Sequence, residues 1–202
     1  MAQSEPVRAR MSHRGAVSLV TLVIATLGAA LPLSMVAPTL AITADQFGTT
    51  AAESSWTLTI VLVVAATTTP VIGRLGDTFG PRLVLLILIP VVMVGLAIAG
   101  LAGSMGEFIA GRTLQGLGGG VFPLAIALAR CAVPEAQRPL AVGLLTGTFA
   151  TGTGLGVVIA GILVDRVGTQ ALAWLPFALL AVAGVMTFGL AEAPRADRQP
   201  LH

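Results

Sequence analysis

Apolar and polar positions in this chain separate into six long apolar runs divided by short breaks that are polar or rich in Gly and Pro. The runs cover residues 16–41, 56–72, 83–102, 108–129, 140–164 and 171–191, with breaks such as 45–55, 73–82 and 130–139. Each run is close to the roughly 20 residues that carry an α-helix across the hydrocarbon core of a bilayer. The pattern predicts an all-α membrane protein: a tail at 1–15, a bundle of six transmembrane helices at 16–191 and a second tail at 192–202. The first run is too long for the apolar core of a cleaved signal peptide, which spans about 7–15 residues. Its two prolines, Pro32 and Pro38, predict either a bent helix lining a cavity or a kink packed against neighbours.

Composition agrees with a lipid surrounding. The chain is 55% apolar and only 10% charged, where a water-soluble domain carries roughly 25% charge. All eleven basic residues are arginine. Arg8, Arg10, Arg14, Arg74, Arg82, Arg130, Arg138, Arg195 and Arg198 fall on one side of the predicted spans, Arg166 falls on the other, and Arg112 lies within the fourth run. An excess of arginine marks the cytoplasmic face, so both termini are expected in the cytoplasm of a cell, inside an inner or plasma membrane. Scattered basic positions and a net charge of +2 give no footprint for nucleic acid. Cys131, the single cysteine, has no partner within the chain for a disulfide. His13 and His202 lie in the tails, and neither a metal-ligand cluster, a Ser/His/Asp set nor a phosphate loop is evident. An enzyme, a metal and a cofactor are therefore not expected.

Three patterns carry candidate chemistry. The second and third spans are joined by Gly73-x-Leu75-x-Asp77-x-x-Gly80, and the same spacing returns 88 residues later as Gly161-x-Leu163-x-Asp165-x-x-Gly168. The two breaks fall on opposite sides of the membrane, as in two inverted three-helix repeats; ordinary Gly/Asp turns are the alternative. Gly would allow close approach or positive φ, and Asp would cap the start of a helix. The fourth run holds Arg112, Gln115 and five glycines. Arginine in mid-span costs about 2.5–3.5 kcal/mol against about 0.3–0.6 returned by each large apolar residue, so this helix is expected inside the bundle. Arg112, Gln115, Gly116 and Gly119 share one face, which would meet a water-filled cavity or a tight helix contact, unless Arg112 snorkels outward. The fifth run carries Gly143-x-x-x-Gly147 and Gly152-x-x-x-Gly156, a spacing that lets helices pack closely and that would also suit a moving interface.

Together these segments resemble the major facilitator superfamily, in particular its drug:proton antiporter branches. Gly73-Arg74-Leu75-Gly76-Asp77-Thr78-Phe79-Gly80-Pro81-Arg82 is similar to the family's signature loop, and Arg112-Thr113-Leu114-Gln115-Gly116 to its fourth-helix pattern. Trp56 and Ala37-Pro38-Thr39 are similar too. Three features depart: Gly156-Val157 and Ala160-Gly161 stand where the antiporters carry Gly-Pro and Gly-Gly, Ala29 stands where many members carry an acid, and six spans stand for the family's twelve or fourteen.

The resemblance implies one half of a major facilitator fold, the N-terminal one. It implies efflux of a small molecule, a drug or metabolite, by alternating access. Gly73, Asp77, Gly80 and Arg82 would form a gating loop that closes on a second half. Arg112, Gln115 and Gly116 would serve the cavity or its coupling, Gly152, Gly156 and Gly161 helix packing, and Asp165 the outer copy of the loop. No acid lies deep in a span, so a proton carrier, if one is needed, is expected from elsewhere. The expected partners are the lipid bilayer, a small-molecule substrate and a second copy or a separately encoded half. A truncated, non-transporting remnant or assembly partner is the competing reading.

Overall fold

The side chain of Ser12 accepts a hydrogen bond from the Gly15 amide and starts the first helix, α1, at His13–Met35. The computed structural model describes residues 12–167 and 171–189, and no strand occurs among them. α1 passes through Pro32 unbroken and stops where Pro38 enters a single 3-10 turn at Ala37–Thr39. Proline in a first turn gives up an amide that needs no intrahelical carbonyl, so the chain breaks cleanly there. A short helix, α2, follows at Leu40–Phe47 and ends on Gly48 at φ +62°. Thr50 and Glu53 then cap the next helix, α3 at Ala51–Phe79, reciprocally, and the buried Ser54 hydroxyl donates to the Leu40 carbonyl at 2.7 Å, tying α3 to α2.

The remaining helices are α4 at Pro81–Leu101, α5 at Met105–Gly116, α6 at Val121–Ala132, α7 at Arg138–Val167 and α8 at Ala171–Phe188. Five segments are long and apolar enough to cross a membrane: α1, α3, α4, the α5–α6 pair and α7. α8 adds a shorter apolar helix at Leu172–Phe188.

Two boundaries differ from the sequence expectation. The break expected at 73–82 is helical up to Phe79, and Gly80 alone, at φ +95°, turns the chain into α4. At 29 residues α3 is about 43 Å long, more than the roughly 30 Å hydrocarbon core, so a polar end of a span has no need to unwind. The fourth run, expected as one helix, is divided by a 3-10 turn at Leu117–Gly120. The glycines of this stretch offer no Cβ, and α3 closes into the space. A Cβ on Gly116 would lie 2.7 Å from the Val64 Cβ, and one on Gly120 would lie 2.6 Å from the Ile72 Cδ1.

The main core joins α1, α4, α6, α7 and α8 through Leu22, Leu85, Ile89, Leu124, Leu145 and Leu180. Close backbone contact is concentrated where small residues face each other. Gly95 and Gly111 let α4 and α5 touch: a Cβ on Gly111 would lie 2.6 Å from the Ala99 nitrogen and 2.7 Å from the Gly95 oxygen. Lipid tails are as apolar as leucine, so packing rather than water exclusion joins such helices.

Candidate functional site

Arg112 and Gln115, one turn apart on α5, meet inside the bundle. The guanidinium Nη1 donates to the Gln115 Oε1 at 2.9 Å, and the Gln115 Nε2 donates to the Gly95 carbonyl at 3.3 Å. The Phe108 ring lies below the guanidinium carbon at 4.9 Å, a cation–π distance. Arg112 is 6% and Gln115 4% exposed, so Arg112 does not snorkel. Its Nε is buried without an acceptor, and no described carboxylate pairs with it. Pro32 and Met35 of α1, Leu96 of α4 and Leu172 of α8 close the space around the pair. That space is about 10 Å³, the threshold for a single water. The polar face therefore meets a nearly filled gap, not the water-filled cavity that the sequence allowed. Gly116 is not part of it and packs on Val61 and Val64 of α3.

The signature segment is arranged differently from the expectation. Asp77 is exposed in the last turn of α3, not at a helix start. It makes no ion pair with Arg74 or Arg82 among the described residues, where the one ion pair joins Glu135 and Arg138 at 3.8 Å. A carboxylate at a helix C-terminus faces the negative end of the dipole, so the capping role is withdrawn. Close approach and positive φ belong to neighbours of Gly73. A Cβ on Gly76 would lie 2.5 Å from the Leu124 Cδ2, Gly80 takes the positive φ, and Gly73 has open space. Arg82 reaches across to α8, where its Nη2 donates to the Phe188 carbonyl at 3.2 Å.

On α7 the glycines divide into two faces. Gly152 sits on α1, where a Cβ would lie 2.9 Å from the Ala30 Cβ, and Gly156 backs onto Ser34 and Leu31. Gly143, Gly147, Gly154 and Gly161 have nothing within 4 Å of a Cβ position. Gly161 thus does not join the contact expected of it, and neither does the 143/147 pair. Together with Ala150 and Val158 these four form one exposed stripe at three- and four-residue spacing. α3 shows a comparable stripe of Thr59, Val63, Thr67, Pro70, Arg74 and Asp77, all exposed. The sequence reading named the Gly143/Gly147 pair but not the full α7 stripe, and it missed the α3 face, although the spacing of both is visible along the chain. The side chain of Asp165, Gly168 and the tails at 1–11 and 190–202 lie outside the described residues.

Comparison with known proteins agrees with this architecture. The model of the Major Facilitator Superfamily matches residues 22–201. The chain is 34% identical over 151 residues to the tetracenomycin C resistance and export protein of Streptomyces glaucescens, covering 73% of this chain and 28% of that one. It is 29% identical over 181 residues to the uridine/deoxyuridine transporter of Lactococcus lactis subsp. cremoris, covering 89% and 38%. The chain thus spans between about a quarter and two fifths of the length of these relatives. The fold is similar to the crystal structure of a bacterial homologue of the iron transporter ferroportin in an outward-facing state, with a TM-score of 0.69 at 19% identity over 94% of this chain and 49% of that one. Half of such a fold, built from helices long and apolar enough to cross a membrane and matched along nearly its whole length, is a multi-pass membrane architecture: the chain belongs to the Major Facilitator Superfamily.

Proposed function

We propose that this chain supplies the N-terminal six-helix half of a small-molecule efflux carrier, which works by alternating access against a second half of the same kind. One observation carries the reading: the unpartnered glycine stripe of α7. Four glycines facing outward offer lipid little apolar surface, yet they allow another helix to approach closely. The α3 stripe supports it, since Arg74 and Asp77 at its end call for a polar partner. The export protein of Streptomyces glaucescens favours efflux, and the uridine/deoxyuridine transporter marks the other direction to be tested. In this reading the turn at Gly80, with Asp77 and Arg82, gates the contact between halves. The second half is a second copy or another six-helix unit, and an antiporter of this kind draws on an ion gradient.

The test compares two glycines two residues apart. Gly154→Leu should leave the bundle folded but abolish the assembly of halves, read as loss of the dimer-sized particle in mild detergent after subtraction of detergent mass. Transport of tetracenomycin C in proteoliposomes should fall with it, and Asp77→Asn should reduce transport while the particle stays intact. Gly152→Leu, which collides with α1, should instead unfold the bundle. Wild-type assembly and transport in Gly154→Leu would refute the reading. Uridine transport with no tetracenomycin C transport would refute efflux, and a stable monomer without activity would favour a non-transporting remnant.

Orientation is proposed from the arginine distribution: both termini and the α3–α4 turn inside an inner or plasma membrane. Single cysteines at Thr49 and Thr78, in a variant lacking Cys131, give the check. An impermeant thiol reagent on intact cells should label position 49 only; the reverse pattern would overturn the orientation.

A further inference from the structure

A cavity of about 410 Å³ opens at the end of the bundle where α1 and α4 begin and α6 and α8 end. Its polar wall holds His13, Arg14 and Ser18 from α1 and Arg82 from α4, and its floor includes Leu22 and Leu128. No carboxylate lines it among the described residues. The Arg82 side chain is already fixed, because its Nη2 donates to the Phe188 carbonyl at 3.2 Å. Its Nε is nevertheless buried with no acceptor. A roomy cavity lined by two guanidinium groups, with no carboxylate among its described lining residues, favours an anionic occupant. The geometry lies apart from the Arg112 network, whose walls share none of these lining residues.

We propose that this cavity binds an anionic phosphate group, held by Arg82 and Arg14. Guanidinium matches phosphate oxygens with paired donors, and Ser18 stands beside it on α1. Its hydroxyl already donates to the Arg14 carbonyl at 2.9 Å, so Ser18 has no free proton for the anion and the arginines are the main donors. Two sources carry the same chemistry: the headgroup of an anionic phospholipid, whose hydrocarbon Leu22 and Leu128 would meet, and a soluble phosphate.

The experiment uses the full chain in neutral detergent, with phosphatidylglycerol, phosphatidylcholine and inorganic phosphate as probes. Native mass spectrometry reads the bound lipid and thermal unfolding reads the response. Phosphatidylglycerol should be retained in preference to phosphatidylcholine, and Arg82→Gln and Arg14→Gln should each weaken it roughly tenfold, the value of one charge-assisted hydrogen bond. Arg82→Lys, which keeps charge without the fork, should fall between. Arg130→Gln, an exposed arginine near the same end but outside the cavity lining, should change nothing. Should Arg82→Gln fail to fold, the exposed Arg14 carries the test alone. Competition by inorganic phosphate would assign the site to a soluble anion, and no competition would assign it to lipid; either supports the proposal. Binding unchanged in both arginine variants overturns it, as does an equal loss in Arg130→Gln, which would reflect diffuse surface charge. Binding that emerges only on removal of residues 190–202, which carry Glu192 and Asp197, overturns it as well.

Discussion

Leucine at position 111 should stop the bundle from assembling. A Cβ alone would lie 2.6 Å from the Ala99 nitrogen, 2.7 Å from the Gly95 oxygen and 3.0 Å from the Ala99 Cβ. Two of these are main-chain atoms of a packed helix, so no side-chain rotation relieves the collision. Over-packing a core costs about 1–3 kcal/mol where neighbours can shift, and here α4 and α5 would have to separate along their contact. Replacing Gly in a helix gains back only about 1 kcal/mol of propensity, so the collision wins. The expected result is aggregated material or a loss of cooperative thermal unfolding in detergent. Gly106→Leu is the control, since Gly106 lies on the same helix with nothing within 4 Å; its melting temperature should match the wild type. A folded Gly111→Leu bundle would mean that α4 and α5 are not in backbone contact.

Arg112→Met should leave the bundle at least as stable as the wild type and abolish transport. The two readouts move apart because of how Arg112 is held. Its charge is buried with one side-chain acceptor, one aromatic face and an unpaired Nε, and no described carboxylate balances it. A buried charge is costly to desolvate, and apolar replacement of buried ionic groups is often neutral or stabilising by about 1–4 kcal/mol. A side chain kept for structure would show the reverse, with stability lost first. Arg112→Lys refines the test: the charge stays but the planar fork is lost. Losing a charge-assisted hydrogen bond of about 1.5–3 kcal/mol should lower transport by roughly ten- to a hundredfold. The proteoliposome assay that tests the proposed function and thermal unfolding of the same samples are the measurements. Full transport in Arg112→Met would remove the residue from the mechanism.

Much of this was legible along the chain, and the reasons are local. Bilayer thickness translates directly into the length of an apolar run, so the all-helical character and five segments long enough to span, with a sixth shorter apolar helix, follow from 1.5 Å of rise per residue. The cost of an arginine in lipid placed Arg112 and Gln115 inside the bundle, where both are buried. Small residues at four-residue spacing predicted close packing of the fifth span, and Gly152 and Gly156 do lie against α1.

Which of several equivalent small residues meets a partner depends on rotation of the helix about its axis, and that rotation is a property of the neighbours. Gly152 and Gly154 are two residues apart, yet one abuts Ala30 and the other faces open space. The same applies to the polar end of α3. Only the tertiary structure made it helical through Phe79 and left Asp77 exposed without a described ion partner. The glycine run after Gln115 became a 3-10 turn because α3 closes on it through Val64, Ala65 and Ile72. Sequence alone determined what must enter the membrane and what could not face lipid, since those are energies of single residues against a solvent. Only the packed helices decided which faces are consumed within the half and which stay open, since those are energies of pairs brought together from distant parts of the chain.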